Sequence, residues 1–159
     1  MDVSSEFHSI RMIHAAFCGS VLIYGLVACL MLSQGIIPET GFAGDLPGLN
    51  IIRAIIWLFA AGSYVGIRIL RARSLRVEAL RHHTKRVTQV MNARLIVMYA
   101  LADAIAIYGF LLFMLAASLQ DFLLLAGAAL LTLHWLRPKE DAYRALARQA
   151  IHTSPVGPA

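Results

Sequence analysis

The sequence predicts an all-α integral membrane protein: a four-helix bundle of two related helix pairs with both termini inside (N-in/C-in). Three observations carry that expectation. The composition is that of a lipid-facing chain, with 59% apolar residues, 14% charged residues and a mean hydropathy of +0.70 over 159 residues, unlike an ordinary soluble domain. Four apolar runs, about 12–32, 51–70, 95–117 and 119–136, approach the roughly 20 residues that a spanning helix requires, the fourth being the shortest. Lys and Arg cluster on one side of the membrane that these runs define.

The first run reads as a retained helix rather than a signal peptide. The segment before it, MDVSSEFHSIR, holds more acid than base, and no small-x-small cleavage pattern precedes polar sequence. Cys18 and Cys29 fall on this one helix too far apart to pair, so they read as small packing residues. The loop that follows, SQGIIPETGFAGDLPGLN, has turn chemistry and no Lys or Arg.

The second run carries Arg53 and Arg68 near its ends, where long side chains reach the headgroups. Arg53 has Glu39 and Asp45 as possible outer partners, and Trp57 reads as packing. Beyond this run comes a connection of about 71–94 that is rich in base: Arg71, Arg73, Arg76, Arg81, Lys85, Arg86 and Arg94. It lacks Gly and Pro, and Val77, Leu80, Thr84, Val87 and Met91 recur at helical spacing, so spans two and three are expected to continue as helices and turn back near 81–85. Cytoplasmic loops collect Lys and Arg, which places this connection and the tail inside. The formal charge of +5 is therefore an orientation signal, and anionic headgroups or partner proteins, not nucleic acid, are the expected contacts of these bases.

The third run contains ALADAIAIYGFLLFML, an apolar stretch with one carboxylate, Asp103. It lies nine residues beyond Arg94, about 13 Å deep at 1.5 Å per residue. Placing Asp near a helix centre costs about 2.5–3.5 kcal/mol on insertion scales, so the group is expected either to carry an ion or to hold helices together. Tyr99, one turn earlier on the same face, is a possible hydrogen-bond partner; Arg53, Arg68 or a partner chain are possible counter-charges. The fourth run closes the bundle. Residues 139–159, beginning KEDAYRALARQAI, read as a cytoplasmic tail with a short interfacial or partner-binding helix, leaving 1–138 as the membrane domain.

A shift of 84 residues lays span one over span three: Ala16 on Ala100, Ile23 on Ile107, Tyr24 on Tyr108 and Gly25 on Gly109. Both run from inside to outside, as a parallel repeat requires. In this register Asp103 falls opposite Gly19, so one copy bears the acid.

The same stretch resembles the carboxylate-bearing helix of the proteolipid rotor subunits of rotary ATPases, the c subunit and its four-helix V-type relative. In that family an acid is followed by small and apolar residues and an aromatic-Gly pair, here Asp103 with Tyr108 and Gly109. The resemblance implies an ion-binding carboxyl at Asp103 with Tyr108 and Gly109 as its supporting pair, to which the helix face adds Tyr99. The chain departs from the family elsewhere. Spans two and four offer only AAGSYVG and AGAA where the family's inner helix is Gly-rich, the cytoplasmic loop is long and Arg-rich, and the termini lie inside.

His14 and His134, at comparable depth on spans one and four, form a possible axial pair for a b-type haem. His82 and His83 read as solvated residues of the basic turn. No ligand spacing suggests a metal site, and no nucleophile with a base, phosphate-cradling Gly loop or carboxylate pair suggests an enzyme. The expected role is a non-catalytic integral membrane subunit of a larger energy-transducing complex, respiratory or ion-translocating, in a bacterial-type inner (plasma) membrane. It would contact lipid, other membrane subunits or copies of itself, with no cofactor required. The alternatives are a proton- or sodium-translocating ring subunit using Asp103, and a haem-binding electron-transfer subunit.

Overall fold

The computed structural model describes residues 3–44, 46–74 and 84–138. They form four α-helices: α1 (Val3–Ser33), α2 (Leu49–Ser74), α3 (Thr84–Ala116) and α4 (Leu119–Trp135). There is no strand among the described residues. Three segments, Phe7–Ser33, Leu49–Ala72 and Asn92–Ala116, are long and apolar enough to cross a membrane, while α4 has 17 residues. At 1.5 Å per residue α4 is about 25 Å long, a little less than a typical hydrocarbon core of about 30 Å.

The first three helices run longer than their apolar runs alone indicate. α1 begins before Met12 because the preceding polar segment continues the helix, and Ile10, at 1% exposure, belongs to the core. α2 and α3 likewise extend past their apolar ends, to Ser74 and from Thr84. The expected turn near 81–85 falls largely outside the described residues, as do Val77, Leu80, His82, His83 and the tail 139–159.

Local chemistry sets the helix ends. α1 stops where Gly35 takes φ +63, with Gly35 N–H donating to Leu32 and Ile36 N–H to Met31 in a Schellman closure. The chain then folds over the end of α3. Phe42 and Ala43 donate their N–H groups to the carbonyls of Met114 and Leu115, both at 3.0 Å, capping acceptors that α3 leaves unsatisfied. Gly41 makes this approach possible. A Cβ there would collide with the Leu115 carbonyl, and its φ of +75 suits only glycine well. Between α3 and α4 the turn is short: Ala117 adopts φ 49, and Ser118 caps α4 by accepting the Asp121 N–H at 3.4 Å.

α3 is the central element, packing against each of the other helices, while α1 also touches α4. Side-chain contacts fix the directions. His14 near the start of α1 meets Leu133 near the end of α4, and Tyr24 further along α1 meets Phe110 further along α3. Thus α1 runs parallel to α3 and antiparallel to α4. Arg53 and Arg71, near opposite ends of α2, meet Asp121 and Trp135 at the corresponding ends of α4, so those two helices are parallel. The core lies along α3 and its contact with α4, where Phe110, Phe113 and Phe122 cluster at centroid distances of 6.0–6.3 Å. Gly109 sets the spacing there: a Cβ would stand 2.9 Å from the Leu125 Cβ and 3.3 Å from the Phe122 Cα.

The outward faces are as apolar as the core. Leu22, Leu26, Ile51, Leu58, Leu123 and Leu131 are all exposed. A water-soluble bundle would put polar residues there, so this surface suits lipid.

Candidate functional site

Asp103 sits midway along α3, half-buried, on the side that faces α1. Its hydrogen bonds come from two hydroxyls of α1: Ser20 Oγ lies 2.6 Å from Oδ1 and Tyr24 OH lies 3.4 Å from Oδ2. Ser20 and Tyr24 are one turn apart, so the helical repeat brings both to the same face of α1. That spacing is the sequence signal for the pair, though only the packing of α1 on α3 shows that it meets the acid. Among the described residues no cation pairs with Asp103.

This arrangement suits either charge state of the carboxyl. Ser20 Oγ also lies 2.8 Å from the Phe17 carbonyl. Its single proton can go to ionised Asp103, or to Phe17 while Oγ accepts a proton from neutral Asp103. A rotation of one hydroxyl therefore accommodates gain or loss of a proton without moving a helix.

The other residues singled out with Asp103 serve different contacts. Tyr99, fully buried, donates its hydroxyl to the Leu136 carbonyl at 3.3 Å and packs against His14 and Phe17, which corrects its expected place beside the acid. The reason is direction: Tyr99 points toward the α1–α4 contact, while Asp103, a turn later, takes its hydrogen bonds from α1. Tyr108 leans toward α2, with its ring 6.3 Å from Phe59, and Gly109 admits α4. The aromatic-Gly pair thus serves packing on two sides of α3.

A second carboxyl, Asp121, is held quite differently. It is 2% exposed and lies in the first turn of α4. Arg53 Nη2 reaches its Oδ1 at 2.8 Å and Trp57 Nε1 donates to the same oxygen at 3.3 Å, while Oδ2 is buried with no hydrogen-bond partner. Arg53 therefore turns inward to Asp121 instead of reaching the loop acid Glu39; Asp45 lies outside the described residues. Trp57 supplies a polar contact as well as packing.

The histidines do not share a space. His14 is half-buried with Nε2 3.0 Å from the Leu133 carbonyl, whereas His134 is exposed on another side of α4. An axial haem pair needs two imidazole nitrogens facing one metal, so these residues do not fit that group as placed. Of the basic set, Arg71 stacks on Trp135; Arg73, Lys85 and Arg86 fall on the backbone of α2 and α3; Arg76 and Arg81 lie outside the described residues. Among the described residues no group of three or more His, Cys, Asp or Glu could hold a metal ion.

No protein-family model, curated protein or solved structure matches the chain.

Proposed function

We propose that this chain is a multi-pass protein of a bacterial-type inner (plasma) membrane, a four-helix bundle with both termini inside, serving as a non-catalytic subunit of a larger energy-transducing complex. The observation that carries this reading is the uneven burial of the helices. Only 11% of the apolar window of α1 and 17% of that of α2 are buried, against 39% for α3. Two long apolar helices thus offer most of their surface to lipid, other membrane subunits or copies of the chain. The positive-inside rule supports the orientation, and the likeness of the Asp103 helix to rotor proteolipids supports an energy-transducing setting, respiratory or ion-translocating. Purification in mild detergent, followed by the mass and composition of the assembly, tests the proposal. Co-purifying unlike subunits are expected, and a stable monomer with no associated protein refutes it.

A second reading, proton or sodium translocation by a ring or bundle of copies, is favoured by the two hydroxyls around Asp103. Asp103→Asn then abolishes ion flux in reconstituted vesicles while assembly persists; undiminished flux ends that reading. For the haem reading, the positions of His14 and His134 predict a purified protein without a Soret band.

A further inference from the structure

We infer that Arg68, Arg71 and Trp135 form a binding site for the phosphate of an anionic phospholipid where α2 and α4 end. The Arg71 Cζ stands 3.4 Å from the centroid of the Trp135 ring, and that of Arg68 stands 5.5 Å from the same centroid. Arg71 also donates Nη1–H to the Trp135 carbonyl at 3.3 Å, which fixes its position. Two guanidiniums gathered at one indole attract the ring but repel each other. An anion between them reverses that repulsion, and the planar forks of arginine match phosphate oxygens. The two Cζ atoms can be no further apart than the sum of their distances to the ring centre. Arg68 is exposed and has no carboxylate partner among the described residues.

The surroundings select a lipid over free phosphate. The apolar segment of α2 ends at Ala72 and α4 ends at Trp135, so the three side chains lie at a membrane boundary, where tryptophan is enriched. Exposed Ile69 and Leu131, next to Arg68 and one turn before Trp135, give an acyl chain an apolar surface directly beneath the charges. The positive-inside orientation proposed above puts this end in the leaflet where anionic lipids gather. α2 and α4 each pack extensively on α3 but sparsely on one another, so a shared phosphate would tie their ends together.

Native mass spectrometry of the full chain released from nanodiscs of equal phosphatidylglycerol and phosphatidylcholine tests this. Each basic side chain at a membrane surface favours an anionic lipid by roughly fivefold, so two give an enrichment of bound phosphatidylglycerol of roughly 25-fold. Arg68→Gln should reduce it to roughly fivefold by the same rule, with helix content by circular dichroism unchanged. Equal retention of the two lipids by the unaltered chain overturns the inference without any variant. It is also overturned if Arg68→Gln folds and retains phosphatidylglycerol as before, or if inorganic phosphate displaces the lipid. Co-purification of a protein that occupies these arginines and excludes the lipid overturns it as well.

Discussion

Asp103 and Asp121 are both carboxyls within apolar helices, yet the chain treats them in opposite ways. Asp121 meets a full counter-charge, Arg53, and an indole donor from α2, and it stands in the first turn of α4, where helix N–H groups favour negative charge. Asp103 lies mid-helix, away from either terminus, and meets only hydroxyls from α1. A carboxyl locked to an arginine keeps one charge state and joins helices; one solvated by hydroxyls can exchange a proton with little rearrangement. The difference separates a structural acid from a candidate ion carrier.

The contrast can be broken most directly at Arg53. Arg53→Ala leaves the buried Asp121 charge unpaired and is expected to cost about 3 kcal/mol, the low end of the usual range because Arg53 is half-exposed. Equilibrium unfolding in mixed micelles measures it, and a loss no greater than that of Ser20→Ala would erase the distinction between the two acids. Gly109→Ala comes next, with an expected loss of about 1–3 kcal/mol as the new methyl pushes α4 from α3. This variant separates the packing role of the aromatic-Gly pair from any role in ion binding: it should lower stability while the hydroxyl contacts of Asp103 remain. Removing one hydroxyl is smaller. Ser20→Ala should cost about 1 kcal/mol, and Asp103→Asn no more, since the amide oxygen can accept from Tyr24 while the amide NH2 donates to Ser20 Oγ, whose own proton goes to the Phe17 carbonyl; a loss comparable to Arg53→Ala would make Asp103 a structural acid too. The smallest effect, of opposite sign, belongs to Ala117→Gly. Relief of its left-handed backbone should raise stability by at most about 1 kcal/mol, offset in part by glycine's greater freedom when unfolded.

Much of the fold is legible along the chain. The first two apolar runs lie within α1 and α2 and the last two overrun α3 and α4 by one residue each, while Gly35, Gly41 and Ser118 stand at ends that the structure closes by backbone and capping bonds. The beginning of α1 is less legible, because its first turns are polar and gain their place only through Ile10 in the core. The candidate site is half legible. Asp103 stands out as a lone acid in an apolar run, but Ser20 and Tyr24 look like ordinary polar residues of another helix. Asp121 looks like a residue at a span boundary, and Arg53 like one reaching for headgroups. Tyr99 shares a helical face with Asp103 in projection, yet its hydroxyl is drawn to the end of α4.

Composition and periodicity by themselves determined that this chain is helical and suited to lipid, because transfer of apolar side chains and closure of backbone hydrogen bonds are local properties that add along a segment. Which polar group meets which was decided only by tertiary structure. Ser20 and Asp103 are 83 residues apart and Arg53 and Asp121 are 68 apart, so each pairing depends on the rotation and depth at which two helices pack. Small residues set those variables: Gly109 lets α4 close on α3, and Gly41 lets the loop between α1 and α2 seat on the end of α3. One acid then faces two hydroxyls, and the other faces an arginine.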